Sequence, residues 1–144
     1  MVKFRIEKDS LGDVKVENEK LWGAQTQRSI QNFKIGVGKF HFQKVFIEAI
    51  ALQKKACAMA NYNCKLLSKK HVDTIAKVCD LIIDQKLEDH FPLVVWQTGS
   101  GTQINMNLNE VIANKSNLLL GSKLPSNKPL HPNDDINKSQ SSND

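Results

Sequence analysis

The sequence predicts a mainly α-helical domain with three main helices, short N-terminal strands and a long C-terminal loop segment. Three observations carry this. Apolar residues recur at spacings of three and four from about His41 to Asn63, from Ser68 onward and from Thr102 to Leu120. Period-two alternation is confined to "FRIE" and "DVKVE" near the start. Beyond Gly121 the text "SKLPSNKPLHPNDDINKSQSSND" holds three prolines and few apolar residues.

The elements follow in order. "FRIE" and "DVKVE" are expected to be two strands around a turn at Leu11-Gly12-Asp13. "GAQTQRSIQNF" is amide-rich and fits either a short helix or an extended segment. "KIGVGKF" is a loop on its two glycines. In the first main helix Val45, Ala49, Leu52, Ala56 and Met59 share one face, which is expected to be the apolar one. Ser68 is placed to cap the second, whose apolar face is Val72, Ile75, Ala76, Cys79, Ile82 and Ile83. Pro92 stops that helix from continuing. The third begins near Gly101-Thr102, carries Leu108, Val111, Ile112, Leu118 and Leu119, and stops at Gly121. Residues 122–144 alone resemble a linker or disordered tail. The closing Ser-Ser-Asn-Asp is the composition of a helix start, so a further helix is expected after Asp144.

At 144 residues the chain suits one domain, 1–144, with a modest core. The formal charge of +5 is spread along the chain, and no basic block with interleaved aromatics points to nucleic acid. No apolar run has the length of a membrane span, and "MVKFRIEKDS" lacks a signal-peptide core. A cytoplasmic setting is the expectation. Cys57, Cys64 and Cys79 have neither metal-ligand spacing nor an even count, and Cys57 and Cys79 are expected to be buried free thiols.

Three polar clusters stand out. The first, Thr98-Gly99-Ser100-Gly101-Thr102-Gln103, lies at a helix start, where unpaired N–H groups, glycines and hydroxyls suit a carboxylate or phosphate. It lacks the Gly-Lys-Ser/Thr ending of a P-loop, and a capping turn without ligand explains it equally well. The second, His131-Pro132-Asn133-Asp134-Asp135, offers an imidazole beside carboxylates, a thin set for a metal and a common pattern for Asx turns. The third, Ser139 to Asp144, is again rich in donors. Asn105, Asn107 and Asn109 alternate along the third helix. Asn105 and Asn109, one turn apart, are placed to bond neighbouring segments as buried structure.

"LWGAQTQRS", "FPLVVWQTGSGTQINMNLNEV" and "HPNDDINKSQSSND" resemble the N-terminal domain of class II fumarases (fumarate hydratases), within the fumarase/aspartase superfamily. The resemblance covers essentially the whole chain. It implies reversible hydration of fumarate to (S)-malate with no metal or organic cofactor, in a homotetramer. It implies substrate contacts from Ser100, Gly101 and Thr102 and from Ser141, Ser142 and Asn143. It implies a secondary dicarboxylate site at Lys128, His131, Pro132, Asn133 and Asp134. The family commonly has arginine at the first of these positions, and Lys128 keeps the charge but not the bidentate geometry. Ser100 between the glycines and Ser141-Ser142-Asn143 favour fumarase over an aspartase-like ammonia lyase. The catalytic acid and base of the family come from a central helical-bundle domain whose motifs are absent from these residues, so this stretch is expected to be inactive alone. A small-anion binding or interaction module is the alternative of a different class.

Overall fold

The alternation near the start folds into a hairpin, β1 (Phe4–Asp9) and β2 (Gly12–Glu17), antiparallel with Asp9 opposite Gly12. The computed structural model describes residues 2–142. The tip is Ser10-Leu11, slightly ahead of the expected Leu11-Gly12-Asp13. Asp9 sets it: its Oδ1 accepts from the Leu11 N–H at 2.9 Å, and Gly12 takes the left-handed φ of +109° that follows. Val14 and Val16 face inward, opposite Glu7 and Arg5. The buried Arg5 guanidinium donates to the carbonyls of Glu17 (2.7 Å), Lys20 (2.8 Å) and Trp22 (2.7 Å), drawing the chain after β2 back across the hairpin.

The amide-rich segment is a helix, α1 (Ala24–Asn32). No side chain of its own caps it. Instead the Glu110 carboxylate accepts from the N–H groups of Gly23 (2.9 Å), Gln25 (2.9 Å) and Thr26 (3.1 Å). A Cβ on Gly23 would stand 2.9 Å from that carboxylate, so glycine is what permits the approach. Burial pushes the Glu110 carboxyl up, while the bonds from residues 23–26 pull it the other way.

The three main helices are α2 (Lys44–Asn63), α3 (Lys69–Ile83) and α4 (Thr102–Leu119). Ser68 caps α3 as expected, accepting from the His71 N–H at 3.2 Å, and Val72, Ile75, Cys79 and Ile82 are buried. The face of α2 is corrected. Val45, Leu52 and Met59 are 65%, 59% and 52% exposed, and the buried residues are Ile47, Ala51, Lys54, Ala58 and Asn61. Both stripes have helical spacing, so periodicity cannot choose between them. The buried stripe carries small residues that admit a neighbouring helix, and polar ones that later segments need. In α4, Leu108, Val111 and Ile112 are buried as expected, but Leu118 and Leu119 in the last turn are 39% and 44% exposed. Gly121 ends that turn with φ +94°.

Cys79 is buried and its thiol is pushed up to about 12, mainly by burial. Cys57 is only half-buried and Cys64 is exposed. No helix among the described residues is long and apolar enough to cross a membrane.

The linker-like expectation for the tail fails over residues 122–142. Leu130 and Ile136 join the core, and Pro132–Ile136 forms one π-helical turn against α4. The tail has few apolar side chains, and a side-chain amide of α4 holds its backbone. Asn117 donates to the carbonyls of Ser126 (3.1 Å) and Leu130 (2.8 Å) and accepts from the Leu130 N–H (2.9 Å).

Two measurements check this arrangement. Glu110→Gln presents an NH2 to buried N–H donors and should cost ~1–3 kcal/mol in urea denaturation, with no loss expected if the carboxylate does not cap α1. His90 Nδ1 accepts from the Leu21 N–H at 3.2 Å, and burial, then the Lys20 charge, lowers its pKa. The folded state therefore binds fewer protons than the unfolded chain. Stability should be full above the ordinary histidine value of ~6.5 and fall as pH drops through it. His90→Asn, which keeps an acceptor near Nδ1, should lose less on acidification than wild type. Identical pH slopes would contradict the role of His90.

Candidate functional site

The start of α4 is built by Gln97 and Gly101. Gln97 Oε1 accepts from the Ile104 N–H at 3.1 Å, and its Nε2 donates to the Val94 carbonyl at 2.9 Å. One amide thus caps the helix and anchors the preceding strand-like segment. Gly101, the N-cap, has φ +76°. Ser100 Oγ lies 3.0 Å from Thr102 Oγ1 and 3.3 Å from Thr98 Oγ1, and Thr98 Oγ1 donates to Gln103 Oε1. The three hydroxyls therefore form one chain of donors and acceptors along the loop. Ser100 is exposed, and Gly101 and Thr102 are half-buried.

The last described residues meet this helix through Asn137. Its Oδ1 accepts from Lys54 Nζ (2.7 Å), Asn105 Nδ2 (3.2 Å) and Asn109 Nδ2 (3.2 Å). Its Nδ2 donates to the carbonyls of Gln140 and Ser141, each at 3.2 Å. Gln140 Nε2 donates to the carbonyls of Ile136 (3.0 Å) and Lys138 (3.3 Å), and Asn61 Nδ2 also reaches Lys138 O at 3.0 Å. Asn105, one turn after Thr102, donates to the Ser142 carbonyl at 3.0 Å. Five carbonyls of residues 136–142 are thus held by side-chain amides. In a trans peptide the N–H points opposite to the C=O. The N–H groups of Ser139, Ser141 and Ser142, which share peptides with the carbonyls of Lys138, Gln140 and Ser141, therefore point away from the amides.

Asn105, three residues after Thr102 in α4, thus fastens the Ser141-Ser142 segment to the helix that Ser100-Gly101-Thr102 opens. Asn143 lies outside the described residues. The loops themselves, 98–103 and 137–142, contain no carboxylate or imidazole, so they can bind and polarise an anion but offer no acid–base pair.

The His131 turn is separate. His131 Nδ1 accepts from the N–H groups of Asn133 (3.2 Å) and Asp134 (3.3 Å), which leaves the ring proton on Nε2. Asp135 Oδ2 accepts from the His131 N–H at 2.8 Å. Asp134 Oδ2 also lies 3.4 Å from His131 Nδ1. A cavity of about 230 Å³ is lined by His131, Pro132 and Asn133 together with residues 7–10 of the hairpin. Lys128 and Asp134 are exposed and do not line it. Among the described residues no group of three or more His, Cys, Asp or Glu side chains could hold a metal ion.

Sequence reasoning missed Lys54, Gln97, Asn137 and Gln140. Lys54 carried a signal: it sits in helical register with Ile47, Ala51 and Ala58, where a lysine is out of place unless its charge is bonded. Asn137 and Gln140 carried none, because Lys54, Asn105 and Asn109, which donate to their oxygens, are distant in sequence.

A family model described as lyase matches residues 12–144. The chain belongs to this lyase family. The match spans all four helices and both donor loops. Among similar proteins are fumarate hydratase class II of Pasteurella multocida, 56% identical over 141 residues, and of Bacillus subtilis, 52% identical over 143. The alignments cover 98% and 99% of this chain and 30% of each relative, so the lyase chain spans about three tenths of their length. Similar solved structures include the class II fumarase of Schistosoma mansoni (TM-score 0.92) and a fumarate lyase:delta crystallin of Brucella melitensis in native form (TM-score 0.93). Each is 40% identical and matched over 99% of this chain, which covers 30% and 33% of those chains.

The left-handed Gly101 gives a direct check. A Cβ at Gly101 or at Gly99 would meet no atom within 4 Å, so any difference between them is backbone strain. Gly101→Ala should lose ~1–2 kcal/mol in urea denaturation and Gly99→Ala much less. Equal effects would show that the turn does not need the left-handed residue.

Proposed function

We propose that this chain is the N-terminal, carboxylate-binding lyase unit of a class II fumarate hydratase, which reversibly hydrates fumarate to (S)-malate. One observation carries the reading: Asn105, one turn after Thr102, fastens the Ser142 carbonyl to α4, which supports assigning both donor loops to one anion. The identity with fumarate hydratases over nearly the whole chain supports the choice of substrate.

The chemistry asks for this kind of site. Dehydrating malate removes a weakly acidic proton from the carbon next to a carboxylate, and negative charge gathers on that carboxylate in the transition state. Donors already in place stabilise that charge without reorganising. Ser100, Gly101 and Thr102 from one loop, with Ser141, Ser142 and Asn143 from the other, are assigned to the two substrate carboxylates. Lys128 and the His131–Asp134 turn are assigned to a second, weaker dicarboxylate position. Proton transfer falls to residues outside these 144, in a helical bundle into which 122–144 leads. The reading includes a homotetramer in the cytoplasm that acts without metal or organic cofactor and has no nucleic-acid or membrane partner.

A chimaera tests it, in which this chain replaces the matching segment of a class II fumarate hydratase. It should hydrate fumarate, whereas the chain by itself should not. Thr102→Val in the chimaera should lower kcat/KM by an amount equivalent to ~2–4 kcal/mol. An inactive chimaera, wild-type efficiency in Thr102→Val, or faster formation of aspartate from fumarate and ammonium would overturn the assignment.

A further inference from the structure

A lysine ammonium donates hydrogen bonds and accepts none. Lys54 is 1% exposed, on the buried stripe of α2. Its Nζ donates to Asn137 Oδ1 at 2.7 Å and to Gln140 Oε1 at 2.9 Å. A primary amide has one oxygen and one NH2 end, similar in shape and opposite in polarity. Beside a partner that only donates, the oxygen must face it and the NH2 must face away. Away from Lys54 lie the loop carbonyls. Asn137 Nδ2 takes those of Gln140 and Ser141, and Gln140 Nε2 takes those of Ile136 and Lys138. With those carbonyls turned in, the N–H groups of Ser139, Ser141 and Ser142 turn out.

We infer that Lys54 is a positioning residue: it fixes the orientation of the Asn137 and Gln140 amides and through them aims the N–H edge of the Ser139–Ser142 loop at a dicarboxylate. The inference rests on the function proposed above and deepens it. Lys54 itself touches neither the substrate nor the reacting atoms. What matters is that its head is donor-only. Arginine shares that property. Glutamine, which can present either end, does not, and methionine fills the space without any donor.

The experiment uses the same chimaera carrying Lys54→Arg, Lys54→Gln and Lys54→Met. The Gln and Met variants should lose at least tenfold in kcat/KM for fumarate. The Arg variant should retain at least fivefold more activity than the Gln variant, even where its larger head lowers Tm further. Activity that simply follows Tm across the three variants would overturn the inference, as would equal activity of Arg and Gln. Asn137→Ala, which leaves α2 unchanged, should show the same tenfold loss, and full activity in that variant would also overturn it.

A second readout does not depend on turnover. In Lys54→Gln the backbone amides of residues 137–142 should exchange hydrogen at least tenfold faster than in wild type, with α3 and α4 unchanged. Unaltered exchange in that loop contradicts the positioning role. If wild-type chimaera is inactive but Lys54→Gln loosens the loop, the functional reading fails and the positioning role stands. If wild type is active and Lys54→Gln changes neither rate nor exchange, the reverse holds.

Discussion

The structure depends on one constraint: α4 is surrounded by protein, and its buried amide nitrogens and the Glu110 carboxylate bond the segments around it, while Oδ1 of Asn105, Asn107 and Asn109 is left without a partner among the described residues. Thirteen of its eighteen residues are buried, including Asn105, Asn107, Asn109, Glu110, Asn114 and Asn117. A buried amide without a hydrogen bond is costly, so each of these groups fixes whatever bonds to it. Asn107 takes the His90 carbonyl at 3.0 Å, and Asn114 takes the Leu21 carbonyl at 2.8 Å. Glu110 takes the start of α1, and Asn117 takes the tail on both sides of Leu130. Segments with little apolar area of their own are held in place in this way.

The same constraint makes the site. At the N-terminal end of α4, Asn105 and Asn109 meet Asn137, and Lys54 meets Asn137 from α2. Amides are suited to this position on charge grounds. They hold loop carbonyls inward without adding negative charge beside the loop. Carboxylates could not donate to those carbonyls. Neutral staples behind the loop and hydroxyls along its partner leave the electrostatics of the site to oriented N–H and O–H dipoles.

Local pattern made much of the fold legible. The hairpin, the Ser68 cap, the apolar face of α3, the glycine at each end of α4 and the loop at Gly36–Gly38 all follow from rules spanning a few residues. The start of α4 at Gly101-Thr102 was legible for the same reason, since glycine and hydroxyl groups at a helix start are local signals. The face of α2 was not, because Val45-Leu52-Met59 and Ile47-Ala51-Ala58 obey the same period and only the neighbours decide between them. The tail was misjudged because composition counts apolar area, whereas Asn117 and Asn137 secure it through hydrogen bonds. The bond from Asn105 to the Ser142 carbonyl was hidden for a similar reason: the two residues are far apart in sequence, and no local rule links them.

The central claim is that buried amides of α4 hold the 136–142 loop in its shape, and a double-mutant cycle between Asn105 and Asn137 tests it most directly. Urea denaturation would be measured for Asn105→Ala, Asn137→Ala and the double variant. Contacting residues in one hydrogen-bond network couple by roughly 0.5–3 kcal/mol, and a coupling in that range, with the double variant losing less than the sum, is predicted. Additive losses within ~0.3 kcal/mol would mean that α4 and the loop are held independently, and would contradict the account.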